Sequence, residues 1–110
     1  MKLSLTVYEG GRNVILGSAV GTQLFDKYLP VAVGGKSGTA EENKNRGSHA
    51  NYITWAPYNN AEVAVAVMIP NGYAAVNAGI MSFYTLSSYY DSYIPSHVYA
   101  DVNGALTIVE

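Results

Sequence analysis

The chain has 110 residues, enough for one domain with a modest core, and its composition, 49% apolar and 13% charged, excludes a disordered tail. A net charge of −2 without a Lys/Arg cluster excludes the electrostatic footprint of a nucleic-acid or anionic-lipid partner. The absence of cysteine removes disulfide scaffolds, thiolate zinc sites and thiol nucleophiles together.

Residues 3–16, LSLTVYEGGRNVIL, place Leu3, Val7, Val14 and Ile15 at near-helical spacing, which predicts a helix weakened at Gly10-Gly11 and stopped near Gly17. A short helical turn is expected over Thr22 to Tyr28, closed by Pro30. From Val31 the period changes, and VAV running into GGKSGTA predicts a strand. The polar stretch that follows, with Glu41, Glu42, Lys44 and Arg46, reads as a solvated loop. ANYITWAP and AEVAVAVMIP, separated by Tyr58-Asn59-Asn60, predict an antiparallel hairpin, and the unbroken VAVAVMI run predicts a strand covered on both faces.

After Asn71-Gly72, residues 74–93 set Val76, Ile80, Phe83, Tyr84 and Leu86 on one broad face, as in a helix packed on a sheet and ended by Pro95. Asn103-Gly104 divides the last segment into a small hairpin or an extended tail. Helices flanking a run of hairpin-linked strands give an α+β class: an antiparallel sheet with packed helices. No run approaches the roughly 18 apolar residues of a membrane span, and Met1 is not followed by a basic-then-apolar leader, so no anchor or signal is expected in this chain.

The stretch that carries chemistry is VAVGGKSGTAEEN, residues 31–43. A lysine among glycines and hydroxyls serves either a phosphate-cradling loop or a strand that holds a substrate carboxylate. The phosphate loop G-x-x-x-x-G-K-[ST] requires its first glycine at position 30, which is Pro30. It must also open a helix whose N-terminus faces the anion, and the polar residues that follow have no apolar face to bury. K-[ST]-G on a strand fits the second chemistry. Lysine places positive charge beside the carboxylate, hydroxyls donate to it, and glycine lets the substrate lie flat on the strand edge.

VAVGGKSGTAE resembles the strand motif of the transpeptidase domain of high-molecular-weight, class B-like penicillin-binding proteins, toward the C-terminal end of that domain. HANYITWAPYNNAEVAVAVMIPNG extends the resemblance through His49, Ala50, Ala56 and Pro57 and again from Glu62 to Val67, while YEGGRNVILGSAVGT is similar to the family's E-G-M-R-x-V helix. Asn51, Thr54 and Trp55 depart from its usual tryptophan, glycine and Phe/Tyr. The resemblance implies a partial serine β-lactamase/transpeptidase-like fold over residues 1–95, with 96–110 as a tail or small hairpin.

For the site, the resemblance implies that Lys36 orients the substrate and tunes its proton network. Ser37 and Thr39 would bind the carboxylate of a D-alanyl-D-alanine stem peptide or a β-lactam, Gly38 would give the ligand access, and the Thr39 N–H would be an oxyanion donor. No cofactor and no metal is implied. Its location would be the extracytoplasmic face of the bacterial plasma membrane for the parent protein.

The family's nucleophile is the serine of S-x-x-K, completed by an S-x-N element. No serine in this sequence has lysine three residues on, and none begins S-x-N. Without a nucleophile the strand lysine cannot form an acyl-enzyme, so the chain alone is expected to be inactive and to need the missing N-terminal part of the same domain. Alternatives are a non-catalytic module that holds a peptide or partner on the same sheet edge, and a fragment of a β-lactamase-related hydrolase. His49 reads as a structural residue at a strand start, His97 as exposed, and the ten tyrosines as amphipathic cover for sheet and helix edges. Sheet surface left uncovered predicts a homo-oligomer of the chain.

Overall fold

A computed structural model of the chain describes residues 5–41, 48–69, 75–101 and 105–110. Helix α1 (Leu5–Leu16) leads through a π-helical turn (Gly21–Phe25) into the single turn α2 (Asp26–Tyr28), as the Thr22–Tyr28 reading expected. Strands β1 (Gly34–Glu41), β2 (Ser48–Ala56) and β3 (Val63–Ile69) follow, then α3 (Ala75–Tyr89) and the short strands β4 (His97–Ala100) and β5 (Leu106–Val109). The first three strands form one antiparallel sheet in the order β1-β2-β3, and β4 and β5 pair antiparallel as a separate ribbon. The architecture is α+β. Glu41 is not in a loop as expected but is the last residue of β1, paired with Ser48; the loop residues Glu42, Lys44 and Arg46 and the Asn71-Gly72 and Asn103-Gly104 turns lie outside the described residues.

Helices pack on one face of the sheet. Ile15, Leu24, Phe25, Val33, Phe83 and Leu86 are fully buried there with Tyr52, and Phe25 meets the ring of Phe83 edge-on at 6.2 Å between centroids. The period of two expected of a strand is clear in β2, where Tyr52, Thr54 and Ala56 are buried and Ile53 between them is 46% exposed.

Three sequence expectations are corrected by this packing. Val31 and Val33 do not begin the strand: β1 starts at Gly34, and Val33 is instead a core residue of the approach to it. VAVAVMI is not covered on both faces. Val63, Val65, Val67 and Ile69 are half-buried while Ala64, Ala66 and Met68 are exposed, because helices cover only one side and β3 is an edge strand. Nor does Pro95 end α3. The helix stops at Tyr89, where Asp91 takes a left-handed conformation (φ 51°); the Asp91 N–H donates to the Ser88 carbonyl and the Ser92 N–H to that of Ser87. These two bonds satisfy two of the carbonyls of the last turn.

The last segment is a hairpin ribbon, the first of the two alternatives. It packs Val98, with Ala100, Leu106 and Ile108, against the main core, and turns His97, Tyr99 and Val109 outward. Its end is tied to α2: the Tyr28 hydroxyl donates to the Glu110 carboxylate, which Lys27 also approaches at 3.5 Å. The Tyr28 bond holds the Glu110 carboxyl below its ordinary value.

One side chain ties the elements around the start of β1 together. The Arg12 guanidinium on α1 donates through Nη1 to the Val33 carbonyl at 3.0 Å, pairs through Nη2 with Asp26 at 2.8 Å, and lies over the Tyr58 ring at 5.7 Å. Tyr58 in turn donates its N–H to the Ala32 carbonyl, and its own carbonyl accepts from Trp55 Nε1. Trp55 is only 8% exposed although it lies on the sheet face away from the main core, because α1 reaches over it at Gly11. Its indole fits there because Gly34 and Gly11 lack side chains: a Cβ at either would come within 2.7 Å or 2.2 Å of the ring.

A fixed five-donor fork serves all of these partners at once, whereas an ammonium cannot. Arg12→Lys is therefore expected to lower stability by about 1.5–3 kcal/mol, the worth of hydrogen bonds to a charged group, read as a shifted urea midpoint at constant slope. An unchanged midpoint would show that the clamp is not needed. Glycine substitutions give a second check. A Cβ at Gly21 would lie 1.8 Å from the Ile15 carbonyl oxygen, while one at Gly10 meets nothing within 4 Å. Gly21→Ala is expected to destabilise by about 1–3 kcal/mol and Gly10→Ala to stabilise by roughly 0.5–1 kcal/mol, measured in the same way.

Candidate functional site

β1 gathers Lys36, Ser37, Gly38 and Thr39 on one edge strand, opposite Ile53, Tyr52, Asn51 and Ala50 of β2 in that order. Four consecutive residues in extended backbone form a ledge rather than a loop. Such a ledge offers main-chain groups on its open side and alternating side chains above and below.

The Lys36 side chain belongs to the face that the helices leave bare, and it is exposed. Its row continues across the sheet through Ile53 to Ala66, and the next row runs from Gly38 through half-buried Asn51 to Met68, which is 68% exposed. Trp55 closes this face at the end nearest Gly34. Among the described residues the result is a shallow surface with one cation, an apolar floor and a wall at one end.

Position 37 falls on the opposite side of the pleat, and Ser37 is half-buried. Tyr52, its partner across the strands, is 3% exposed, and burial pushes its phenol pKa up, offset in part by the Ser18 hydroxyl. Thr39 is placed by its backbone, in β1 opposite Ala50; its hydroxyl lies outside the described side chains. The same is true of His49, which is in β2 opposite Ala40.

Tyr58-Asn59-Asn60 forms the tight connection between β2 and β3, with the Asn60 N–H donating to the Pro57 carbonyl and the Glu62 N–H to that of Ala56. His97 is exposed on the ribbon and meets Tyr99 edge-on at 5.0 Å. Among the described residues no group of His, Asp and Glu is arranged to hold a metal ion. No helix of the described residues is long and apolar enough to cross a membrane.

Two residues that hold the site in place were not singled out from the sequence. Arg12 was visible only as one letter of the EGGR stretch, and nothing in its neighbours discloses that it binds the Val33 carbonyl 21 residues away. Trp55 stood out only as a departure in the middle strand. Its packing depends on Gly34, so the pair Gly34 and Trp55 was the available signal. Thr54, the other departure in that strand, is fully buried with its methyl facing Gly35, and its hydroxyl has no partner among the described residues.

Comparison with curated proteins and with solved structures gives no match. Comparison with family models does: residues 12–85 match the penicillin binding protein transpeptidase domain. That span runs from the Arg12 clamp through K-S-G-T and the β2–β3 hairpin into α3, well over half of the 110 residues. The chain therefore belongs to the penicillin binding protein transpeptidase domain family.

Proposed function

We propose that this chain is the carboxylate-binding part of a peptidoglycan D,D-transpeptidase domain, inactive by itself because it carries no S-x-x-K serine. The observation that carries this reading is an exposed Lys36 on an edge strand within the K-S-G-T sequence, in a chain of this family. In the reading, Lys36 supplies positive charge for the carboxylate of a D-alanyl-D-alanine stem peptide or a β-lactam. The Ser37 and Thr39 hydroxyls donate to that carboxylate, each such bond contributing about 1.5–3 kcal/mol. Gly38 keeps the strand edge open to the ligand. The Thr39 N–H is one of two oxyanion donors, a contact whose loss costs on the order of 10²–10³ in rate.

The serine that attacks the acyl carbonyl comes from a stretch of the same domain outside these 110 residues. Its seat is the bare face beside Lys36, where Ile53 and Met68 are exposed. The complete protein works at the extracytoplasmic face of the bacterial plasma membrane, where its peptidoglycan substrate is.

The lack of any S-x-x-K or S-x-N sequence favours one second reading, a non-catalytic module that holds a peptide or a partner on the same edge. Both readings place the ligand on β1, and they separate when the serine-bearing part of the domain is added.

Purified residues 1–110 are expected to form no covalent adduct with a fluorescent penicillin, and a label at a defined serine would overturn the assignment of inactivity. Titration with a D-alanyl-D-alanine peptide is expected to shift the amide resonances of residues 36–39, and Lys36→Ala to abolish those shifts. Shifts elsewhere, or none at saturating peptide, would remove the carboxylate-binding role.

A further inference from the structure

The single turn of α2 holds partners on two sides. Asp26 pairs with Arg12, which also binds the Val33 carbonyl immediately before β1. Lys27 and Tyr28 reach instead to the end of the β4–β5 ribbon. There the Tyr28 hydroxyl donates to Glu110 Oε1, and the Lys27 ammonium approaches the same oxygen at 3.5 Å. One turn of helix thus stands between the clamp on the Lys36 strand and a residue 82 positions further along the chain than Tyr28.

A turn of three residues has no stability of its own, and none of the three is buried. Its place is set by what it holds. Phe25 before it and Leu29 after it enter the core and fix the depth of the segment. The side-chain bonds of Asp26 and Tyr28 are left to fix its rotation. Tyr28 is well seated for this, since its ring also packs against Phe83 at 6.0 Å and Tyr93 at 5.9 Å between centroids. Tyr93 in turn donates its hydroxyl to the Glu110 backbone carbonyl at 3.1 Å, so Glu110 is held by both its side chain and its main chain.

We propose that α2 couples the ribbon to the Lys36 strand, with Tyr28 and Glu110 acting as positioning residues for the start of β1 through Asp26 and Arg12. The links are contiguous: Glu110 to Tyr28, Asp26 to Arg12, Arg12 to Val33. Each is a hydrogen bond or an ion pair, the kind of packed network that carries coupling between sites. Loss of the Tyr28 bond frees α2 to turn, Asp26 then draws away from Arg12, and the guanidinium holds the Val33 carbonyl less firmly. The ribbon lies beyond residues 12–85, so a segment outside the family match acts on the strand inside it. The inference concerns the position of that strand and does not rest on what the strand binds.

Amide hydrogen exchange in the 110-residue chain, read by NMR with the fold of each variant checked by circular dichroism, tests the coupling. Tyr28→Phe keeps the ring contacts and loses only the hydroxyl. It is expected to speed exchange of the amides by which residues 34–38 bond to β2 by roughly two- to tenfold, the worth of one hydrogen bond, and to leave the β2–β3 ladder unchanged. Ser96→Ala removes a bond internal to the ribbon segment, from Ser96 to the Val109 carbonyl at 2.9 Å, and is expected to leave β1 exchange as it was. In an Arg12→Lys background Tyr28→Phe is expected to add nothing at β1, because the link is already cut.

Unchanged β1 exchange in Tyr28→Phe would show that the ribbon does not reach the strand. Equal acceleration across the whole sheet, or a Ser96→Ala effect on β1 as large as that of Tyr28→Phe, would show a general loss of stability instead. An additive effect in the Arg12→Lys background would show a route that bypasses the clamp. Each of these outcomes overturns the proposal.

Discussion

The start of β1 is fixed by one guanidinium. Arg12 reaches from α1 to the Val33 carbonyl, to Asp26 on α2 and to the face of Tyr58 in the β2–β3 turn, so four segments distant in sequence meet within one side chain's reach. Asp26 and Arg12 are both partly screened from solvent, which makes the pair worth more than a surface ion pair and leaves each dependent on the other. What this arrangement positions is the residue pair before Lys36. Gly34 is held under the Trp55 indole and Gly35 against Ile15, so the strand leaves the clamp with its pleat already set. Whether Lys36 points into the core or away from it is decided two residues earlier.

From that constraint follows the asymmetry of the sheet. On the helix side, Ile15, Tyr52, Phe25 and Phe83 fill the space with large apolar groups, and Phe25 touches both of the other rings. On the other side the rows are Gly34, Trp55 and Ala64, then Lys36, Ile53 and Ala66, then Gly38, Asn51 and Met68. Small residues and a few long flexible ones do not close a core of their own. They leave a floor exposed beyond Trp55, with the single cation of β1 standing at its rim.

Much of this was legible in the sequence, and the misses share a cause. Element types came through because they are local. The period of α1 and α3, the β-branched runs of β2 and β3, and the turn at Tyr58-Asn59-Asn60 each depend on residues close together in the chain. The family came through because K-S-G-T, HANYITWAP and EVAVAV follow one another in a fixed order, and the match to residues 12–85 agrees with that resemblance. What failed depended on which elements lie next to which. VAVAVMI has the composition of a fully covered strand, yet coverage is set by the absence of a layer on one side. Val31 to Val33 have strand propensity, yet Val33 is drawn into the core and its carbonyl goes to Arg12 rather than to a ladder. Pro95 is a strong stop, but an Asp91 able to take the left-handed conformation ended α3 sooner.

The two edges of the sheet differ in composition. β1 has Lys36 and three glycines within eight residues, a charge and small residues that keep an edge from pairing indiscriminately. An edge without charge, proline or glycine lacks those devices. β3 has the second composition throughout. β2 between them carries the large groups, Tyr52 and Trp55, one on each face, that tie both edges to the helices and to α1's glycine. The sheet thus separates an edge with one cation and three glycines from an uncharged apolar edge by the width of one strand, and the first keeps its shape through contacts made within residues 12–58.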